Sequence, residues 1–440
     1  MSEYIHEFRD PIHLFIKMDS NERKVVDSFP LQRLRHIHQL GLSHLVYPGA
    51  THTRFGHSLG VMDLAGRVFD VITDSENIHP EIKKSGIVPI GNGQLKYWKK
   101  ALRMAALCHD LGHLPFSHST EKENVFFRAG WNHERMTAKI IQSKEMEEIW
   151  DNMTPPLRSK DIVKLAVGTK IFKSGSFSDW EFILSEIIVG DYFGVDRMDY
   201  LLRDTYYAGV VYGNLDYHRL IDSIRILPRG NSELAQPDLG IKEGGLRAAE
   251  ALLLARYFMY SQIYFHPVAR IYNTHLRDFL KTIFHKKLST DVNEFMKLTD
   301  DAIFVKLLEA SRKPGSRNHV EACRITKRKH FKLLYKLDPI HKKKNPVITE
   351  IIYENACKVF NRRNVSFDNY RQNAPLSSFP VLKKDDKIYP SSVMSEVLRN
   401  MPFLHDKFVF ISRDYYEDAK EWLKKNIDNY IISGKIKKRR

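Results

Sequence analysis

The chain has 440 residues, 43% hydrophobic and 28% charged, with three cysteines and no CxxC pair. No run approaches twenty apolar residues, and the N-terminal "MSEYIHEFRDPIH" has no apolar core, which excludes a membrane span, a secretory signal and, with so few cysteines, a disulfide framework. These features predict a globular cytoplasmic protein, and a formal net charge of +16 favours polyanionic partners.

Helical periodicity dominates the first 290 residues. An apolar stripe in "LQRLRHIHQLGL" and a second in "FGHSLGVMDLAGRVFDVI" both predict helices. Segment 83–97, punctuated by Gly and Pro, is predicted to be a surface loop. Further helices are predicted to end in "ALCHDLGHLPFSH", to run through "LSEIIVGDYFGVDRMDYLLRD", and to run through "LRAAEALLLARYFMYSQIYF" before Pro267 interrupts the pattern.

The sequence changes character beyond about residue 300, where Gly, Pro and basic clusters become frequent. Short β-leaning runs appear in "NPVITEIIY", for which a helix is the alternative, in "DKIYP" and in "KFVFIS". A final helix is predicted in "RDYYEDAKEWLKKNIDNYII". The chain is therefore predicted to be mainly α, with a helical domain over 1–300 and a smaller α+β region with a basic tail over 301–440.

Polar residues interrupt the apolar helix that ends in "ALCHDLGHLPFSH". His109 and Asp110 would point about 100° apart on a regular helix, so they can share an ion only where other elements supply further ligands. His57 and Asp196 are the candidates. Two imidazoles and two carboxylates suit one divalent cation (Mn, Fe, Ni, Co, Zn or Mg) and leave positions for water and a phosphate oxygen. For each histidine alone, a cap or a satisfied surface group is the alternative.

Three ordered motifs, "TRFGHSLGV", "CHDLGHLPFSH" and "DRMDYLLRD", resemble those of the HD-domain phosphohydrolases, in particular the deoxynucleoside triphosphate (dNTP) triphosphohydrolases. The similarity begins at "DPIH" and continues to about "YFHPVAR". It implies an HD-domain helical core and cleavage between the 5′ oxygen and the α-phosphorus, which releases a deoxynucleoside and triphosphate. It also assigns one metal ion per subunit to His57, His109, Asp110 and Asp196.

The resemblance implies roles for further residues in catalysis. His118 matches the family's catalytic histidine at the leaving 5′ oxygen, and His133 and Glu134, in "WNHERM", match the pair that tunes its imidazole toward neutral pH. One departure is Glu121, where the vertebrate members carry Asp. The longer side chain would alter the proton relay.

Triphosphate-binding positions of the family fall on Arg54, Arg197 and His113, and the two arginines offer planar bidentate donation. For Arg197 the alternative is an ion pair with a helix acid. Positions that close around the deoxyribose fall on five residues: Gln39, Leu40, Tyr200, Asp204 and Tyr264.

Tyr264 is implied to exclude a 2′-hydroxyl by its bulk. Tyr257, Tyr260 and Tyr264 also have helical spacing, so an aromatic core stripe explains the first two equally well. Phe265 stands where the vertebrate enzyme has Gln, and this leaves the base preference open.

Asp27, Gln32 and Arg35 match positions that bind a guanine-nucleotide activator at a subunit interface in the family, and their donors and acceptors suit guanine. Gln32 and Gln39 are predicted to lie on one helix face about 10 Å apart, so one rigid helix could couple the activator to the sugar pocket. This interpretation predicts a homo-oligomer, either a tetramer or a dimer. In the alternative, Asp27 caps the following helix and Arg35 is simply solvated.

Other functions fit part of the sequence. The HD site could serve a nuclease, a pyrophosphatase, or a cyclic-nucleotide or ppGpp hydrolase. Eight Lys or Arg against one acid between Lys327 and Lys344, with "KIKKRR" at the end, favour weak nucleic-acid binding or a nucleotide-sensing role; solvated faces and a disordered tail are the alternative. The dNTP triphosphohydrolase is the leading hypothesis, because the ligand set is intact and the sugar-pocket residues match.

Overall fold

The computed structural model describes residues 5–89, 91–117, 126–172, 176–228, 237–284, 287–371, 378–402 and 404–432. Most of these residues are in helices. Within these ranges the α-helices are α1 (Ser20–Asp27), α2 (Phe29–Arg33), α3 (Arg54–Thr73), α4 (Pro80–Ser85), α5 (Asn92–Cys108), α6 (His133–Ile141), α7 (Lys144–Asp151), α8 (Ser159–Val167), α9 (Asp179–Val189), α10 (Val195–Ala208), α11 (Tyr217–Ser223), α12 (Leu246–Met259), α13 (Pro267–Ile283), α14 (Val292–Met296), α15 (Asp300–Ser311), α16 (His319–Thr326), α17 (Pro339–Lys344), α18 (Ile348–Phe360), α19 (Ser391–Met394), α20 (Glu396–Arg399) and α21 (Tyr416–Ile432). Short 3₁₀ turns occupy Leu34–His36, Gly41–Leu45, Gly168–Lys170, Glu243–Gly245, Arg362–Asn364 and Arg413–Tyr415.

The strands form three small sheets. They are β1 (Ile5–Asp10), β2 (Leu14–Asp19), β3 (Ile224–Pro228), β4 (Pro237–Lys242), β5 (Lys332–Lys336), β6 (Val365–Arg371), β7 (Pro380–Leu382), β8 (Ile388–Pro390) and β9 (His405–Ile411). The sheet orders are β1-β2, β3-β4-β7-β8 and β5-β9-β6, and only the β4–β7 pair is parallel among the described strands. The predicted fold class, mainly α with a smaller strand-containing C-terminal region, is confirmed.

The chain forms two units, each assembled from several segments. The first comprises Met1–Met259, Lys286–Ile303 and Leu376–Met401, and the second comprises Tyr260–His285, Phe304–Pro375 and Pro402–Arg440. The domains predicted at 1–300 and 301–440 remain a prediction, because compactness does not establish which segments fold independently. No helix within the described ranges has both the length and the apolar character that crossing a bilayer requires.

The core of the first unit is built around α3 and α5. Most side chains of α3 are buried, including those on the face that would be solvated in an ordinary amphipathic helix. The C-terminal half of α5 is equally apolar, and Ala105, Ala106 and Leu107 are 0% exposed immediately before His109. His109 and Asp110 therefore directly follow a fully buried part of α5.

The predicted helix over "LQRLRHIHQLGL" is wrong beyond Arg33. A 3₁₀ turn follows α2, Ile37 is extended, and His38 forms an isolated bridge with Thr53. Backbone hydrogen bonds from Gln39 to the His52 carbonyl (3.0 Å) and from Arg54 to the Ile37 carbonyl (2.9 Å) replace the helical ones. Long-range pairing overrides helical periodicity here, so no single rigid helix joins Gln32 to Gln39.

Three other predicted boundaries are corrected. Segment 83–97 is only partly a loop, because α4 extends to Ser85 and α5 begins at Asn92. The helix predicted over 184–204 is two helices, α9 and α10, separated at Gly190–Gly194, where the backbone approaches itself so closely that a Cβ on Gly194 would lie 2.5 Å from the Gly190 carbonyl oxygen. The last turn before Pro267 widens into a π-helical turn, Tyr260–Tyr264.

The second unit contains the β5-β9-β6 sheet and α18, α21 and α13. Alternate residues of β9 point to opposite faces, so Val409 and Ile411 pack with α18 and α21 while Phe408 and Phe410 pack with Ile271 of α13. The strand predicted in "KFVFIS" and the final helix are confirmed. "NPVITEIIY" adopts the helical alternative as part of α18.

Candidate metal centre

The four predicted ligands lie near one another in the first unit. Three of them, His57, His109 and Asp110, have ligand atoms within 4.8 Å of one another, and Asp196 is close to both histidines. The Nε2 atom of His57 lies 3.1 Å from Asp196 Oδ1 and 3.7 Å from Asp110 Oδ2. The Nε2 atom of His109 lies 3.3 Å from Asp110 Oδ1 and 3.5 Å from Asp196 Oδ1. Donor atoms that share one ion at about 2.1 Å are themselves about 3 Å apart, so these separations suit a common cation.

The two imidazoles are oriented for metal binding by hydrogen bonds on their far side. His57 donates from Nδ1 to Asp199 Oδ2 (2.7 Å), and His109 donates from Nδ1 to the Ala106 carbonyl (2.7 Å). Each bond places Nε2 on the side that faces the cluster, so that a neutral ring would direct its lone pair there. The Nε2 of His109 is buried and has no hydrogen-bond partner among the described residues. A divalent cation would satisfy it, so the residues present fit the ion.

Both carboxylates are held in their anionic form. Burial acts to raise the pKa of Asp110, but Arg54, His109 and His113 hold it well below its ordinary value. The pKa of Asp196 is also lowered, because His109 and His57 outweigh burial. Burial opposes protonation of His57, yet its bonds to Asp196 and Asp199 raise its pKa to about 10. Without metal, the two ionised carboxylates therefore attract a positive charge to the cluster, here a proton on His57.

The cluster is open to solvent on the side of Asp196. Its side chain is 35% exposed, whereas that of His57 is 0% exposed. A buried set of ligands with one solvent-facing member can admit an external phosphate and water.

The predicted phosphate-binding residues differ in how closely they approach this cluster. Arg54 forms an ion pair with Asp110 and donates from Nε to Ser117 Oγ (2.7 Å). His113 lies 3.1 Å from Asp110 Oδ1. Arg197 donates to the Gly190 carbonyl (3.3 Å) and lies 3.5 Å from Asp191, an acid between helices rather than the helix acid of the alternative interpretation.

Residues 109–113, which follow α5 and contain His109 and Asp110, form a turn that we call the HD turn. Helix α6, which carries the predicted supporting pair, packs against this turn. The His133 ring stacks on the His113 ring at 4.3 Å, and His133 Nε2 lies 3.2 Å from Glu134 Oε1. Thr137 accepts from the Gly112 amide (2.9 Å) and donates to the His109 carbonyl (3.1 Å). The predicted catalytic His118 and its neighbour Glu121 lie outside the described residues.

The two residues directly before His118 have an unusual backbone conformation. Phe116 and Ser117 both have positive φ (58° and 56°), which costs energy in residues other than glycine. Asp300, which is 0% exposed, accepts from the Phe116 amide at 2.7 Å, and Ser117 donates to the His38 carbonyl at 3.0 Å. Asp300 also accepts from Nδ1 of His38 at 2.7 Å. These bonds stabilise the turn.

The His38–Asp300 pair predicts a pH-dependent contribution to stability. The hydrogen bond and charge of Asp300, with the nearby Asp301, raise the pKa of His38 despite partial burial. A raised folded-state pKa gives stability that is complete below the unfolded pKa of about 6.5 and is lost as pH rises through the folded pKa. In urea unfolding, the free-energy difference between wild type and His38→Gln should be largest at pH 5.5 and smaller at pH 8.5. A difference that grows with pH would contradict this assignment.

The predicted sugar-binding residues are only partly brought together. The Asp204 carboxylate accepts from His52 Nε2 (2.7 Å), and the carbonyl of His52 accepts from the amide of Gln39. Leu40 follows Gln39 directly, and Tyr200 lies one turn before Asp204 on α10. Tyr264 is in the π-helical turn of the second unit, and its sugar-binding role remains a prediction.

Tyr260 and Tyr264 of the aromatic stripe lie in this turn and Phe265 follows it, whereas Tyr257 belongs to α12. The ring of Phe265 is 1% exposed and packs on Tyr370 at 4.2 Å. Tyr260 and Tyr264 form an edge-to-face pair at 4.9 Å. These four rings therefore pack against other aromatic rings of the second unit.

The predicted activator-binding residues lie together. Gln32 accepts from Arg35 Nε (2.8 Å), and the Arg35 guanidinium lies 3.6 Å from the centre of the Phe55 ring. Asp27 is the last residue of α1 and pairs with Arg23 at 2.8 Å. Ser28, not Asp27, precedes α2, so the capping alternative is wrong. Arg35 is exposed to solvent and also lies over an aromatic ring, so the solvated alternative is not contradicted.

Sequence reasoning missed the residues that support the ligands. Asp199 and Arg203 are both within the quoted motif "DRMDYLLRD", three and seven residues after Asp196. That helical spacing was a signal that the three side chains share one face of α10. His13 and His52 carried no such local signal.

The chain belongs to the HD-domain family. Residues 54–173 match the HD domain, and residues 215–350 match the HD-associated region. A crystal structure of a hypothetical protein from Aquifex aeolicus has 32% sequence identity and a TM-score of 0.76, covering 96% of this chain and 100% of that one.

The curated relatives include proteins with and without an assigned activity. Uncharacterized protein MJ1154 of Methanocaldococcus jannaschii is 35% identical over 69% of this chain and 55% of its own length. Deoxynucleoside triphosphate triphosphohydrolase SAMHD1 of Gallus gallus is 29% identical over 76% of this chain and 56% of its own length. This chain spans a little over half the length of these relatives.

Proposed function

We propose that this protein is a metal-dependent dNTP triphosphohydrolase that releases deoxynucleoside and triphosphate. The observation that carries the proposal is the convergence of His57, His109, Asp110 and Asp196, with two imidazoles oriented toward one point and an unsatisfied buried nitrogen between them. The relation to enzymes named deoxynucleoside triphosphate triphosphohydrolases supports the substrate class.

The residues around the cluster suit this reaction. A bound divalent ion polarises phosphoryl oxygens and lowers the pKa of water. Arg54 and Arg197 neutralise the triphosphate and orient it, and His113 donates to a phosphate oxygen. His118 protonates the leaving 5′ oxygen, and His133 with Glu134 sets its basicity.

The sugar is proposed to bind beside the cluster. Asp204 contacts the deoxyribose, and His52 holds that carboxylate in place. Gln39, Leu40 and Tyr200 complete this side of the pocket. From the resemblance alone, Tyr264 is proposed to exclude a 2′-hydroxyl.

We further propose that a guanine nucleotide binds at Asp27, Gln32 and Arg35 and favours a homo-oligomer, either a tetramer or a dimer. Coupling to the metal centre would pass from Arg35 to Phe55, which lies two residues before His57 on α3. This packed contact replaces the rigid helix that the sequence predicted. The three cysteines are free, which is consistent with the reducing cytoplasm as the proposed compartment.

A product assay tests the proposal. The full chain is incubated with each dNTP, each NTP or single-stranded DNA, with Mn²⁺ or Mg²⁺ and with or without GTP, and products are separated by chromatography. We expect deoxynucleoside and triphosphate from dNTPs only, with GTP increasing the rate. Mononucleotides from DNA would identify a nuclease, diphosphate release a pyrophosphatase, and DNA retention without turnover a binding role for the basic C-terminal region.

A further inference from the structure

Building on the proposed metal site, we propose that Asp199 and His13 are positioning residues of that site. They hold His57 in the tautomer and ring orientation in which its Nε2 can bind a cation. The "DPIH" turn at the N-terminus, which contains His13, thereby acquires a function in metal binding.

Asp199 is a fully buried carboxylate whose two oxygens accept from four donors. Oδ2 accepts from His57 Nδ1 (2.7 Å) and Arg203 Nε (2.9 Å). Oδ1 accepts from His13 Nε2 (2.6 Å) and Arg203 Nη2 (3.0 Å). With both oxygens engaged, the carboxylate cannot rotate without breaking charge-assisted hydrogen bonds.

The direction of these bonds determines which nitrogen of His57 is available. An ionised carboxylate only accepts, so Nδ1 of His57 must carry the hydrogen that faces Asp199. In the neutral ring that would bind a cation, the lone pair is then on Nε2, which points toward Asp196 and Asp110. A carboxylate behind a metal-binding imidazole fixes the ring and raises its basicity as a ligand.

The "DPIH" turn anchors the other side of the network. Asp10 accepts from Arg203 Nη1 at 2.8 Å, and its Oδ1 also accepts from the amides of Ile12 (2.9 Å) and His13 (3.0 Å). Arg203 thus bridges Asp10 and Asp199, and the turn between β1 and β2 is tied to α10. Because the turn orients His13, it also orients Asp199.

Close packing leaves this network little freedom. A Cβ atom on Gly60 of α3 would lie 1.9 Å from Asp199 Oδ1 and 2.7 Å from Arg203 Nη2. Buried ionic groups are generally no more stabilising than apolar residues of equal volume. Two carboxylates around one arginine, placed directly behind His57, are better explained by the positioning of a metal ligand than by stability.

The first test replaces Asp199 with Asn, which keeps the size but removes the charge. Mn²⁺ binding to the full chain without substrate is measured by isothermal titration calorimetry, and folding is checked by thermal unfolding in EDTA. We expect Asp199→Asn to weaken Mn²⁺ binding about 10- to 100-fold. The matched control is Glu181→Gln, which removes a largely buried carboxylate that pairs with Lys164 at 2.7 Å. It should bind Mn²⁺ within about twofold of wild type, since it lies outside the network.

A second pair of variants keeps the proposal testable if Asp199→Asn does not fold. The amide of His13→Gln can still donate to Asp199, whereas His13→Leu cannot. We expect His13→Leu to weaken Mn²⁺ binding about 10-fold and His13→Gln to restore most of the loss. A purely structural role would lower the unfolding temperature of the Leu variant without this loss of affinity.

The outcomes separate this inference from the proposed function. Folded Asp199→Asn and His13→Leu variants that bind Mn²⁺ like wild type would overturn the positioning role alone. A wild-type chain that binds no Mn²⁺ would overturn the metal site and the proposed function with it. Wild-type Mn²⁺ binding without dNTP turnover would overturn only the substrate assignment.

Discussion

His109→Ala is expected to abolish metal binding and, with it, metal-dependent turnover. The change removes a buried ligand whose Nε2 has no other hydrogen-bond partner among the described residues. Replacing groups behind a metal ligand already costs about 10- to 100-fold in affinity or activity, so loss of the ligand itself should exceed about 100-fold. Calorimetric Mn²⁺ titration and the dNTP product assay measure both effects.

The thermal behaviour of this variant gives an independent readout. Saturating Mn²⁺ at 100 times its Kd stabilises a folded protein by about 2.7 kcal/mol, so the wild-type unfolding temperature should rise with metal. That of His109→Ala should not. The control is His218→Ala, which alters an exposed histidine on α11 and should keep the metal-induced rise. Undiminished metal-dependent turnover in folded His109→Ala would refute the assignment of the metal ligands.

Gly112→Ala is expected to damage both stability and catalysis. An added Cβ would lie 2.1 Å from the His133 carbonyl oxygen and 2.5 Å from the Thr137 amide nitrogen, which are backbone atoms that cannot rotate away. Overpacking of this kind costs about 1–3 kcal/mol. It would also move α6, with His133 and Glu134, away from the HD turn, and a displacement of about 1 Å can reduce a rate about 100-fold.

The control for this prediction is Gly93→Ala in α5, where nothing lies within 4 Å of the added Cβ. This change should be neutral or stabilising by up to about 1 kcal/mol, because alanine favours the helix. Urea unfolding and steady-state kinetics are compared for the two variants. Equal stability and equal rates would show that the close approach of α6 to Gly112 is not required.

Both predictions depend on contacts between distant parts of the chain. The metal ligands come from α3, the turn after α5, and α10, while α6 closes over the same turn. A change in any one of these elements is therefore transmitted to the others by direct packing.

Local sequence patterns predicted the elements whose structure depends on near neighbours. The periodic apolar residues of "FGHSLGVMDLAGRVFDVI" predicted α3, and the β-leaning run "KFVFIS" predicted a strand. The ligand types and their ordered motifs indicated His57, His109 and Asp110, whose side chains lie close together in the structure, while their role as ligands stays a prediction. Local patterns were informative here because residue chemistry and the geometry of a single helix or strand are encoded locally.

Tertiary structure alone decided the rest. Pairing of segment 37–39 with 52–54 converted a predicted helix into an extended segment, and this pairing depends on where α3 begins. Asp199, His13 and His57 are brought together from positions up to 186 residues apart. Helical or strand periodicity cannot predict contacts between residues so far apart in the sequence. These contacts form because α3, α10 and the N-terminal hairpin pack around one buried network of charged side chains.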